Sequence, residues 1–274
     1  MVVNEDTRTN GSQAGGPAAP QARAVIWHDL ECGSYAADLP LWRELARNAS
    51  ESARAGGAPA RVLDIGAGSG RVALDLARHG HRVTALDLDA ELLAALRDRA
   101  ASMDVEIVRA DARTFALERR DFALCVMPMQ TIQLLGGAAQ RLELLRRARA
   151  HLAPGGVLAC AIVTEIDPFD CYAGDLGPSP ETARVGDTSY VSRATRVQVG
   201  RRAVRIERER SVLAPPRAGA AERPTRERDV VELDRVSVAQ LQREGRDAGL
   251  VTAGTRLIAA TEEHTASAAV IFHA

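Results

Sequence analysis

Lysine is absent from this chain: its 35 strongly basic residues are all arginine. Aromatic residues are scarce too, at 3%, although hydrophobic residues as a whole reach 46%. A core with so few rings has to be built from Ala, Val, Leu and Ile, the set that suits a parallel sheet buried on both faces. The formal charge of −1 excludes a global field that would draw the chain to nucleic acid or to an anionic membrane. Cys32, Cys125, Cys160 and Cys171 form no CxxC pair and no Cys/His ligand spacing. A disulfide framework and a structural zinc site are thereby excluded, and buried, reduced thiols are expected. No apolar run reaches membrane-spanning length, and residues 1–23 lack the apolar stretch of a secretory signal. These absences predict a cytoplasmic protein with a disordered tail over 1–23, no bound metal and no membrane partner.

What is present is a rhythm. After a helix over about 39–53, the runs RVLDI (61–65), HRVTALD (81–87), VEIV (105–108), FALCVM (122–127) and GVLACAIV (156–163) read as strands. Helical segments separate most of them: VALDLARHG, closed by Gly80; DAELLAALRDRAAS, capped by Asp89; and a third over about 138–151. Strands alternating with helices predict a doubly wound α/β fold with a mostly parallel sheet. The rhythm breaks after Thr164. Residues 165–187 read as loop, and SYVSRATRVQV, RAVRIERER and ERDVVELDRV then alternate with the period of half-exposed antiparallel strands. The expected organisation is a core over 24–164, an inserted three-stranded β lid within 165–236, and a return to the core over 237–274. There a helix (237–250) and an antiparallel hairpin (254–260, 266–273) complete a seven-stranded Rossmann-like sheet.

The segment VLDIGAGSGR (62–71) joins the first strand to its helix. Bare backbone at a helix start can approach a ligand closely. A dinucleotide site uses G-x-G-x-x-G, whose third glycine packs helix on strand; here that position is Arg71. The spacing G-x-G-x-G and the closing hairpin both weaken the dinucleotide alternative. With VLDIGAGSG in place, residues 25–274 resemble the class I S-adenosylmethionine-dependent methyltransferases. The resemblance implies a cofactor-binding set of Asp64, Gly66, Ala67, Gly68, Gly70, Asp87, Leu88, Asp111, Ala112 and Met127. In it Asp64 faces the cofactor's ammonium, Asp87 accepts from the ribose diol, Leu88 packs on the adenine and Asp111 receives the adenine amine.

MPMQTIQLL, after the fourth strand, departs from the Asn/Asp-Pro-Pro-Tyr/Phe sequence of amino-methyltransferases acting on nucleic acids. The acceptor is therefore expected to be a small molecule, with an RNA or protein methyltransferase and a noncatalytic cofactor-binding protein as the alternatives. Gln130 and Gln133 read equally as caps of the following helix. No single base is singled out: Glu165, Asp167, Asp170, His28 and Tyr35 are candidates, and Trp27 or Tyr35 are candidates to close over the site. Arg193, Arg196, Arg201, Arg202, Arg205, Arg208 and Arg210 lie within 18 residues of the insertion. Interleaved Glu207 and Glu209 favour a solvated lid face, with a homodimer contact through the lid left open, over a nucleic-acid patch.

Overall fold

The computed structural model describes residues 20–55, 60–214, 224–262 and 264–274. Its larger sheet has seven strands: β1 (Arg61–Ile65), β2 (Arg82–Asp87), β3 (Val105–Arg109), β4 (Phe122–Met127), β5 (Leu152–Ile162), β11 (Val251–Ile258) and β12 (Ser267–His273). They run in the order β11-β12-β5-β4-β1-β2-β3. The five strands from β3 to β5 are parallel, β12 is antiparallel to β5, and β11 closes the sheet as its antiparallel partner. This is the doubly wound sheet with a terminal hairpin that the sequence predicts.

Side-chain alternation along the strands divides the core in two. Val62, Leu124 and Val126 face α2 (Leu39–Ala55), α3 (Arg71–Arg78) and α4 (Ala90–Arg99). Leu63, Ile65, Cys125 and Met127 face α5 (Ala138–His151) and α6 (Val238–Asp247). β4 is buried at every position, as a central strand covered on both faces must be. Cys125 and Cys160 are buried and reduced. Asp89 caps α4 as expected, its Oδ1 accepting from the Glu91 and Leu92 N–H groups at 2.8 and 3.1 Å.

Two expectations need correction. Residues 20–23 are not tail: α1 (Pro20–His28) is a helix and runs into a π-helical turn at Asp29–Gly33; residues 1–19 of the expected tail lie outside the described residues. Nor is 165–187 all loop, because it carries β6 (Phe169–Asp170) and β7 (Glu181–Val185). Both pair antiparallel with β8 (Thr188–Val199), which pairs with β9 (Ala203–Leu213) and, through it, β10 (Thr225–Asp234). The second sheet thus has five strands. The two extra ones are short, and their pairing with β8 is a contact between segments that no local pattern announces. Among the described residues no helix is long and apolar enough to cross a membrane.

Candidate functional site

A cavity of about 490 Å³ opens at the carboxyl ends of β1, β2 and β4, a size suited to a small-molecule cofactor. Asp64, Gly66 and Ala67 line it from the first strand and its turn, Asp87 and Leu88 from the second, and Asp111 and Ala112 from the segment after the third. Gly68, Gly70 and Met127 do not line it. Met127 is fully buried with its sulfur 3.6 Å from Cys160 Sγ, and the wall beyond β4 is made instead by Pro128, Met129, Gln130 and Thr131.

The three glycines serve three different contacts, and all have positive φ: 78°, 54° and 100° at Gly66, Gly68 and Gly70. A Cβ on Gly66 would strike Thr131, one on Gly68 the His28 ring, and one on Gly70 the Leu96 side chain under α3. Only the first two concern the cavity wall; Gly70 permits helix packing. The turn's amides are consumed internally. Gly66 and Ala67 donate to Leu86 O at 2.8 and 3.0 Å, Gly70 to Ala67 O at 2.9 Å, and Gly68 to Asp87 Oδ2 at 2.8 Å. Those four amides are therefore not aimed at a phosphate.

The loop's unusual group is negative. Asp64 is 0% exposed, and neither carboxylate oxygen has a hydrogen-bond partner among the described residues. Burial pushes its pKa up to about 7; Arg71 and, more weakly, the approaching Ala73 backbone N–H oppose the rise, while Asp87 and Asp38 add to it. A buried carboxylate without a partner is costly, and a cationic ligand in the cavity would answer it. Asp87 stands at the rim with Oδ1 accepting from Asp89 N–H at 2.9 Å, which leaves lone pairs for a diol. Leu88 beside it is 58% exposed, an apolar platform at the mouth. Asp111 is held down to about 2 by the Arg113 side chain, which forks onto both its oxygens.

A covering segment from α1 to Asp38 crosses one side. His28 and Cys32 line the cavity from it. Ser69 Oγ donates to Asp29 Oδ1 at 2.5 Å and lies 3.2 Å from His28 Nδ1. Since the hydroxyl has one proton, Nδ1–H must be the donor in that second bond, so neutral His28 keeps its lone pair on Nε2. Burial opposes ionisation of Asp29, but the His28 ring 3.9 Å away and hydrogen bonds from Arg99 and Ser69 outweigh it and hold the carboxyl well below its ordinary range. Trp27 packs edge-on against Tyr190 of β8, 5.3 Å between centroids, so it joins the segment to the second sheet. Tyr35 is buried between the Arg71 guanidinium and the His264 ring. Of the five candidate bases only His28 reaches this cavity. Glu165 and Asp167 line a separate one near β10, and Asp170 pairs with Arg196 at 2.5 Å.

Three contributors were not legible as such. Gln133 is no helix cap: its amide donates to Val163 O and Asp234 O, both at 3.0 Å, and accepts from Val163 N–H at 2.8 Å. It fastens the turn that carries Thr131 to the end of β5 and the end of β10. Met129, in the same wall, is the one described non-glycine residue with positive φ, 54°, a strained conformation of the kind found at functional sites. Arg71 gave only a negative signal, the missing third glycine. In the fold its NH1 and NH2 grip Asp38 at 2.6 and 2.8 Å and NH1 also reaches Tyr35 O at 2.7 Å.

Residues 62–156 match the family described as methyltransferase domain. Residues 62–156 thus form a methyltransferase domain, of the class I S-adenosylmethionine-dependent type. The chain is 35% identical over 114 residues to a cypemycin N-terminal methyltransferase of Streptomyces, covering 42% of this chain and 46% of that protein. It is 32% identical over 144 residues to the dTDP-3-amino-3,6-dideoxy-alpha-D-glucopyranose N,N-dimethyltransferase of Streptomyces fradiae, covering 51% and 55%. The alignments thus span about half the length of these curated relatives. Among solved structures, an S-adenosylmethionine-bound amino pentose methyltransferase from Micromonospora echinaspora shares the fold with a TM-score of 0.63 at 21% identity, covering 94% of this chain and 99% of that one. A sugar N-methyltransferase from Streptoalloteichus does so with 0.67 at 16%, covering 97% and 99%. The residues present suit the cofactor of such a domain: an unanswered buried carboxylate for an ammonium, a rim carboxylate for a diol, and an apolar platform for a ring.

Proposed function

We propose that the chain transfers a methyl group from S-adenosylmethionine to an amine of a small molecule. The observation that carries this reading is Asp64, a fully buried carboxylate without a partner in the wall of a cavity of fitting size. When bound, the cofactor supplies an electrophilic methyl on a sulfonium. Asp64 would hold its ammonium, Asp87 its ribose, and Leu88 with Ala112 its adenine. Asp111, already engaged by Arg113, would receive the adenine amine with a remaining lone pair. Met127 is left out of the set, since its side chain faces the core. Displacement at a methyl carbon asks the protein mainly for alignment and for exclusion of water; Met129, Gln130 and Thr131 form the wall for the first, and the covering segment serves the second. Of the candidate bases, His28 is the one that lines the cavity. The amine is supported by two of the curated relatives, one named as an N-terminal methyltransferase and one as an amino-sugar N,N-dimethyltransferase.

An RNA acceptor is disfavoured by the second sheet. Four of the seven arginines of the run, Arg196, Arg205, Arg208 and Arg210, are each in an ion pair, which reduces the cations left for a phosphate footprint. The test is calorimetric titration with S-adenosylmethionine and with NAD, followed by mass-spectrometric assay against amino sugars and short peptides. Micromolar binding of the first ligand alone and a mass gain on an amine are expected. NAD binding would sink the reading; cofactor binding without turnover on any acceptor would favour a noncatalytic protein.

A further inference from the structure

Arg71 poses a question of charge. It lines the same cavity as Asp64 and is the cation whose field Asp64 feels most, yet no hydrogen bond or ion pair joins them. Both of its terminal nitrogens are held by Asp38, which is 1% exposed, and the Tyr35 ring lies against its other side, 5.2 Å from centroid to guanidinium carbon. A guanidinium free to turn would meet in Asp64 an unsatisfied anion of the same cavity wall, and a buried pair of opposite charges forms readily where neither has another partner.

We propose that Asp38 is a positioning residue: by gripping Arg71 it keeps that cation off Asp64 and reserves the Asp64 carboxylate for the ammonium of a bound ligand. The inference rests on reading the cavity as an S-adenosylmethionine site, but it concerns a residue in the covering segment that lines no part of the cavity. It gives a reason for a buried ion pair beside a buried orphan of the same sign as one of its members. The pair stabilises the fold little in net terms; its effect lies in which carboxylate is left open. The elevated pKa of Asp64, about 7, accords with a cation that is near but already committed.

Calorimetry on the full chain decides it, with S-adenosylhomocysteine and 5′-methylthioadenosine as probes. The two share adenosine and thioether and differ in the amino-acid end. Asp38→Asn is expected to weaken S-adenosylhomocysteine by about 10- to 100-fold, the span of one charge-assisted contact, and to leave 5′-methylthioadenosine unchanged. Asp38→Glu should retain the preference, and the double variant Asp38→Asn with Arg71→Gln should regain it, because no cation remains to occupy Asp64. Titration in two buffers of different ionisation enthalpy adds a second readout: near pH 6 the unaltered chain releases a proton on binding S-adenosylhomocysteine, and Asp38→Asn releases less.

Equal loss of both ligands in Asp38→Asn would make Asp38 merely structural, and no loss of either would mean that Arg71 does not depend on it. Each result overturns the proposal while leaving the cofactor reading intact. If Asp38→Asn does not fold, the double variant decides, and absence of the ligand preference there overturns the proposal as well. An unaltered chain that binds neither ligand defeats the functional reading and this proposal with it.

Discussion

The second sheet and the glycine turn treat charge in opposite ways. In the sheet and where the covering segment meets it, carboxylates and guanidiniums answer each other at close range: Glu31 of the covering segment receives Arg210 Nε and NH2 at 2.7 Å each together with Ser192 Oγ at 2.7 Å, Arg208 reaches Glu181 at 3.0 Å, and Arg228 grips Glu207. At the end of β1, where the turn begins, neither Asp64 oxygen has a hydrogen-bond partner among the described residues. A dense run of arginines therefore says less about ligands than one carboxylate without a partner. Charge that is matched within the fold serves architecture, and charge left unmatched in a cavity wall marks recognition.

The contrast can be broken most strongly at Asp64. Its raised pKa means that the folded chain holds a proton there which the unfolded chain has lost, so its contribution to stability declines as pH climbs from about 4 to about 7. Asp64→Asn should accordingly be more stable above pH 7, by on the order of 4 kcal/mol, while losing S-adenosylmethionine. Thermal melts from pH 5 to 9 with parallel titrations check both. In the unaltered chain affinity should rise between pH 6 and 8 as Asp64 ionises among Arg71, Asp38 and Asp87, with His28 across the cavity. A flat profile would separate Asp64 from the ammonium.

In the sheet the same kind of substitution should have the reverse sign. Burial opposes ionisation of Glu31, and hydrogen bonds from Arg210 and Ser192 outweigh it. Glu31→Gln leaves Arg210 short of its partner and should cost about 3 kcal/mol in denaturant unfolding. A gain in stability there would erase the distinction between the two regions.

Gly70→Ala sharpens the division within the turn itself. Its Cβ would strike Leu96 on a backbone of positive φ, costing about 2 kcal/mol of stability with the ligand affinity of the folded variant unchanged. Steric exclusion of ligand is not expected at Gly68 either, where the obstacle is the His28 ring. Asp87→Ala should show the smallest effect: about 1 to 2 kcal/mol of cofactor affinity, read by calorimetry. Unchanged affinity would remove Asp87 from the ribose.

The parallel sheet, the terminal hairpin and the Asp89 cap were legible because local periodicity and capping chemistry set them. Asp64 and Asp87 were legible through spacing and strand ends. The pairings that finish the site were not. Arg71 with Asp38, Glu31 with Arg210 and Gln133 with Asp234 join residues 33, 179 and 101 positions apart, and one sequence has no pattern at such separations. Met127 was misplaced for a related reason. β4 stays buried to its last position, and the chain reaches the cavity only from Pro128 and the strained Met129 onward.

The covering segment has a consequence for the order in which the protein is made. Tyr35 rests on His264 and Glu31 on Arg210. Synthesis delivers the first member of each pair long before the second. The cavity is roofed by early chain docked on late chain, so a ribosome-bound fragment or a C-terminally truncated product presents it without that anchorage, and closure becomes a mark of a finished molecule.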